Sequence, residues 1–117
     1  MTPPEEAVLV RMFIGETDRH RGHPLYRAIV EAARSAGLAG ATVLHGPVGY
    51  GQTGHIHSEL DVDAPGNLPM VVEIIDSEER VQAFLPRLDG LIGSGLVTIE
   101  KVRAFHCGRR AAEQPSL

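Results

Sequence analysis

Four β-type apolar runs, interleaved with two stretches of helical periodicity, constrain this 117-residue chain more than any other feature. The first run, residues 7–14 (AVLVRMFI), is nearly continuous and rich in β-branched residues, with Arg11 its one charge. Such a run reads as a central strand, and Gly15 ends it. A polar stretch follows, and Pro24 stands where a helix can start without an amide hydrogen. Leu25, Ile29, Ala32, Ala33 and Ala36 then recur every three or four residues, and Gly37 suits the helix C-terminus. β character resumes over 41–44 and again over 68–75. A second helix is expected from a cap at Asp76 or Ser77, with Glu78 and Glu79 in its first turn, where the helix dipole favours them. Val81, Phe84, Leu85, Leu88, Leu91 and Ile92 form its stripe, and Pro86 is expected to kink it. After Gly93-Ser94-Gly95, residues 96–105 alternate as a last strand. Neither face of that strand is cleanly apolar, which points to burial on both.

The order βαββαβ closes as an antiparallel sheet with two helices on one face, an α+β arrangement of the ferredoxin-like kind. One domain accounts for the length. Its expected limits are an N-terminal extension over 1–7, the folded unit over 8–105 with a long loop at 49–67, and a flexible tail over 106–117 that shows no periodicity. The sheet face opposite the helices has no helix to cover it, yet the strands carry apolar residues in both registers. That face is expected to meet other copies of the chain in a homo-oligomer.

An apolar fraction of 43% against 22% charged residues is ordinary for a globular protein, and no apolar run approaches the roughly 20 residues that span a bilayer. The N-terminus lacks the basic and apolar regions of a secretory signal, and the lone Cys107 suits a reducing compartment, so a cytoplasmic location is expected. With a net charge of −4 and only 4% aromatic residues, the chain offers neither phosphate attraction nor base-stacking platforms. No nucleic-acid binding is expected.

The segment 46–55 (GPVGYGQTGH) holds four glycines, which let a ligand approach the main chain and offer backbone amides to a phosphate, an adenine ring or a small anion. Gly46, Gly49, Gly51 and Gln52 are the candidate ligand contacts there. A flexible hairpin that needs glycine only to turn is the competing explanation. Arg19, Arg21 and His23 approach the start of the first helix, where unpaired amides attract anions; a solvated loop neutralised by Glu16 and Asp18 is the simpler reading, and Arg21 is kept as a candidate contact. His55 and His57 would project to one side of an extended segment, as two metal ligands with Glu59 or Asp61 as a third. Exposed histidines without a metal are the simpler alternative. No base, nucleophile and orienting group assemble from these residues, so a binding protein is expected and not an enzyme.

Residues 36–43 (AGLAGATV), followed by 49–55 (GYGQTGH), resemble the PII signal-transduction superfamily, with its small-residue turn into strand two and its Gly-aromatic-Gly, Gln and Gly-His at the base of the long T-loop. The likeness is to an uncharacterised branch of PII-like proteins, carried by Ile14-Gly15-Glu16, by 22–26 (GHPLY), by 68–74 (LPMVVEI) and by 95–102 (GLVTIEKV). It covers roughly residues 8–105. The resemblance implies a homotrimer that binds an adenine nucleotide in clefts between subunits and signals to partners, a membrane transporter or channel among them. It places Gly49, Gly51 and Gln52 at the T-loop base. Typical PII proteins also carry a longer glycine-rich loop with a Lys before the last strand, whereas only Gly93-Ser94-Gly95 stands here. Their Arg pair after that strand is not reproduced in register, although Arg103, Arg109 and Arg110 lie near, and Arg103 is taken as a candidate contact. The fold is also similar to that of CutA-type divalent-cation tolerance proteins, which keeps a metal-binding function as one alternative; an interaction module that regulates a transporter or channel is the other.

Overall fold

The first apolar run forms the long strand β1 (Glu5–Gly15). After it come the short strands β2 (Arg19–His20) and β3 (His23–Pro24), helix α1 (Leu25–Ser35), and β4 (Gly40–His45). The short pair β5 (Val48–Gly49) and β6 (His57–Ser58), β7 (Pro69–Asp76), α2 (Glu78–Leu91) and β8 (Leu96–Ala104) complete the order. The computed structural model describes residues 5–60 and 67–108.

The main sheet runs β4-β7-β1-β8, with every neighbouring pair antiparallel. β1 therefore lies between the last two long strands, with Val10 opposite both Ile74 and Ile99. This is the order of the ferredoxin-like arrangement read from the sequence. Because side chains alternate along a strand, Val8, Val10, Met12 and Ile14 of β1 and Met70, Val72 and Ile74 of β7 share one face, and all are buried. Leu25, Ile29, Ala32 and Ala33 of α1 and Val81, Phe84 and Leu88 of α2 close over them as one core cluster. Burying an aliphatic side chain fully contributes about 1.5–3 kcal/mol, so this helix-facing layer carries most of the stability.

Local chemistry sets the element ends. Gly37 has φ +75°, the left-handed conformation that stops α1 cheaply. Ser77 caps α2, its Oγ accepting from the Arg80 amide at 3.3 Å. Helix α2 runs through Pro86 without a break to Leu91. At the turn between β2 and β3, Arg21 and Gly22 both have positive φ, as a two-residue hairpin requires.

The opposite sheet face is uncovered in the single chain. Phe13, Leu44 and Leu96 stand on it at 41%, 49% and 63% exposure. At its centre Arg11 bonds Glu73 at 2.6 Å and Glu100 at 2.5 Å. The hydrogen bond to Glu73, more than that to Glu100, raises the Arg11 pKa, and desolvation opposes both.

Three expectations change. Glu5 already pairs with Ala104, so the sheet takes in residues 5–7 that were read as an extension. β8 is an edge strand, exposed from Leu96 to Lys101 within the single chain and not buried on both faces. The stretch 56–60, read as loop, includes β6, which pairs with β5. Of the long loop and the tail, residues 61–66 and 109–117 lie outside the described residues.

Candidate functional site

At the end of β1 the chain makes a tight clasp. Gly15 donates its amide to Asp18 Oδ2 at 2.9 Å, and the Asp18 amide donates to the Gly15 carbonyl at 3.1 Å. Asn67, with φ +51°, brings the chain into β7, and its Oδ1 accepts from the Thr17 amide at 3.2 Å and the Thr17 hydroxyl at 2.8 Å. A Cβ on residue 15 would collide with Asn67 Oδ1 and lie 3.2 Å from Asp18 Oδ1, so only glycine admits both side chains.

The glycine-rich segment folds over the same end of the sheet. Gly46 donates its amide to the Pro69 carbonyl at 2.8 Å. Cβ atoms at Gly46 and Gly49 would come within 2.9 and 3.0 Å of Pro69 Cγ, so these two glycines let the loop base lie flat on that ring. Across the opening, the Ser94 hydroxyl donates to Gln52 Oε1 at 2.7 Å, tying the loop to the turn between α2 and β8.

Between these walls lies a cavity of about 690 Å³, within the roughly 300–1,000 Å³ usual for small-molecule sites. Phe13, Ile14, Met70, Pro69 and Leu96 give it an apolar wall; Gly49, Tyr50, Gly51, Gln52 and Thr53 form the loop side; Gly15, Asp18 and Asn67 line it too, as do Ser94 and Gly95. Among the described residues that line it, Asp18 is the only carboxylate and His57 the only imidazole, and none is Lys or Arg. The described residues of one chain therefore offer a ligand backbone amides, neutral polar groups and the Asp18 carboxylate, and none of those lining the cavity is Lys or Arg.

Of the residues singled out from sequence, the cavity gathers Gly49, Gly51, Gln52 and His57. Gly46 sits behind it against Pro69. Arg21 is in the β2–β3 turn, and Arg103 pairs with Glu6 at the far end of β8 from Leu96; neither lines the cavity. His55 and His57 have ring centroids 4.8 Å apart, and among the described residues no group of three or more metal-ligating side chains forms. Glu59 does not join them, and Asp61 lies outside the described residues. Sequence reading missed Gly15, Asp18 and Asn67. The available signal was a glycine at the end of an apolar run with Asp three positions on.

Four antiparallel strands, two helices on one face and a cavity at the glycine-loop end of the central strand define an α+β domain of PII-like architecture. Residues 7–104 match the family DUF190 (uncharacterized ACR), and the chain belongs to that family. A UPF0166 protein of Aquifex aeolicus (strain VF5) is 39% identical over 98 residues, covering 84% of this chain and 92% of that one. Among solved structures, the fold is similar to a PII-like signaling protein of Thermus thermophilus, with TM-score 0.63, 22% identity, and 88% and 93% of the two chains covered. It is also similar to CPII, a nitrogen regulatory PII-like protein of Thiomonas intermedia K12 bound to ADP, AMP and bicarbonate (TM-score 0.59, 15% identity, 87% and 91% covered). The divalent ion tolerance protein CutA1 of Ehrlichia chaffeensis gives TM-score 0.57 at 10% identity, with 92% and 90% covered. No helix among the described residues is long and apolar enough to cross a membrane.

Proposed function

We propose that this chain is a PII-like regulatory protein that binds an adenine nucleotide, without catalysis, in the cavity between β1, the glycine-rich segment and the 93–95 turn. The observation that carries the reading is the cavity itself: about 690 Å³, with an apolar wall for a base and a glycine-rich segment for close backbone approach. The likeness in fold to CPII, which is bound to ADP and AMP, supports the choice of nucleotide. In a homotrimer joined through the uncovered sheet face, a neighbouring subunit can bring cationic side chains to the cavity mouth, where the described lining of one chain holds none. The protein acts in the cytoplasm, and its 49–67 segment reports the bound state to a partner such as a membrane transporter or channel. Titration calorimetry with AMP, ADP, ATP and cyclic dinucleotides tests this. Saturable heat with at least one adenine nucleotide is expected, and no heat and no thermal shift with any of them refutes it.

A second reading, divalent-metal binding, rests on the approach of His55 and His57 to 4.8 Å and on the CutA1-like fold. Titration with Zn²⁺ and Cu²⁺ of the wild type and of the His55→Ala/His57→Ala variant separates the two. Equal affinity in both proteins eliminates this pair as ligands.

A further inference from the structure

Two side chains on the cavity wall have hydrogen-bonding capacity left over, and of opposite kinds. Asp18 spends Oδ2 on the Gly15 amide, while its Oδ1 receives no donor from the described residues. Asn67 is oriented by the Thr17 amide: a backbone N–H must meet an acceptor, so the atom it faces is Oδ1 and the opposite atom is the Nδ2 donor. That Nδ2 has no acceptor among the described residues. Both side chains converge on Gly15, with Asn67 Oδ1 and Asp18 Oδ1 each set against the place where a Cβ would stand. Both are held by bonds to backbone amides, so the pair is arranged before any ligand arrives.

A free acceptor on Asp18 and a free donor on Asn67, both on the wall of one cavity, have the chemistry complementary to the adenine edge, which presents its N6 amino group as donor next to a ring nitrogen as acceptor. Guanine presents the reverse, an O6 acceptor next to N1–H. Resting on the nucleotide reading above, we infer that Asp18 and Asn67 read the base: Asp18 Oδ1 accepts from the N6 amino group, and Asn67 Nδ2 donates to the neighbouring ring nitrogen. The sugar and phosphates then extend toward the open mouth, away from the Asp18 carboxylate, which would repel them. Specificity for adenine lies in this clasp, and the glycine-rich segment contributes affinity without choosing the base.

The test uses AMP and GMP with the full chain by titration calorimetry. A well-placed pair of base contacts discriminates by about 1–3 kcal/mol, so wild type should bind AMP roughly fivefold or more tighter than GMP. Asp18→Asn keeps an oxygen for the Gly15 amide and turns the free acceptor into a donor; Asn67→Asp keeps an oxygen for Thr17 and turns the free donor into an acceptor. Each single variant should lose most of the AMP preference. The double variant Asp18→Asn/Asn67→Asp, which keeps the net charge, presents the guanine complement and should prefer GMP. AMP affinity within about twofold of wild type in both single variants overturns the assignment while leaving nucleotide binding intact. So does equal binding of AMP and GMP by wild type, a measurement that needs no variant to fold. If wild type binds no adenine nucleotide at all, the functional reading falls first and takes the base assignment with it.

Discussion

Replacing Asp76 offers the most direct check on how the domain is fastened. The side chain is fully buried at the end of β7. Its Oδ2 accepts from the Ala39 amide at 2.9 Å, just before β4, and its Oδ1 from the Ser77 amide at 2.6 Å, at the start of α2. Arg80 Nε lies 3.4 Å from Oδ2, and Arg80 Nη2 donates to the Gly37 carbonyl at 2.6 Å. Asp76→Ala strands two backbone amides that have no other acceptor. A fully buried group left unsatisfied costs about 1–3 kcal/mol; the Ala39 and Ser77 amides are only part-buried, so the lower half of that range for each gives about 3 kcal/mol. The Arg80 pair adds less than about 1 kcal/mol because the arginine is 38% exposed. For a domain near 100 residues, 1 kcal/mol moves Tm by about 4–8 °C, so Asp76→Ala should lower Tm by about 12–24 °C. Asp76→Asn keeps one acceptor and should lose roughly half as much. Thermal unfolding followed by far-ultraviolet circular dichroism reads both. A fall of less than about 5 °C for Asp76→Ala would refute the claim that this carboxylate fastens the α1–β4 turn and the start of α2 to β7.

Three further outcomes follow from contacts described above. Leu96→Asp places a charge on the uncovered sheet face beside Phe13, its partner across the strands; light scattering should show the proposed homotrimer falling to monomers with Tm nearly unchanged, and an unchanged mass would remove this face as the interface. Ser94→Ala deletes the hydroxyl that holds Gln52; stability should stay within about 0.5 kcal/mol of wild type in thermal unfolding, while nucleotide affinity by calorimetry drops severalfold. Gly46→Val drives a branched side chain into Pro69, whose Cγ already lies 2.9 Å from a Cβ position; overpacking of about 1–3 kcal/mol should appear as a lower Tm and faster proteolysis within 49–60.

Much of the architecture was legible because it rests on local periodicity. The stripe from Leu25 to Ala33, the Ser77 cap and the run from Val8 to Ile14 each announce an element without reference to distant residues. β8 misled because an alternating strand looks the same at an edge and in the middle; which one it is depends on partners that only the sheet order reveals. The site was half legible. Gly49, Gly51 and Gln52 stood out by composition, yet Gly46 and Gly49 owe their identity to Pro69, far along the chain from both. Asp18 looked like one of several solvated charges, and Asn67 like the end of a polar stretch. Their meeting at Gly15 follows from β1 and β7 being neighbours, with Gly15 opposite Pro69. Arg21 and Arg103 show the converse, since nearness in the chain to a motif does not bring a side chain into the cavity.

The β5–β6 pair and the Asn67 clasp hold the two ends of the segment between Ser58 and Asn67, only residues 59–66 intervening. Closing a chain between fixed posts depends weakly on its length, each doubling costing only about 0.6 kcal/mol. This stretch is therefore where descendants of one ancestor can insert, delete and rewrite residues at little thermodynamic cost. Gly49, His57 and Asn67 of these posts line the cavity and cannot drift so freely. Comparison across the family should find length variation concentrated between positions 58 and 67 and composition held at 15, 18 and 67.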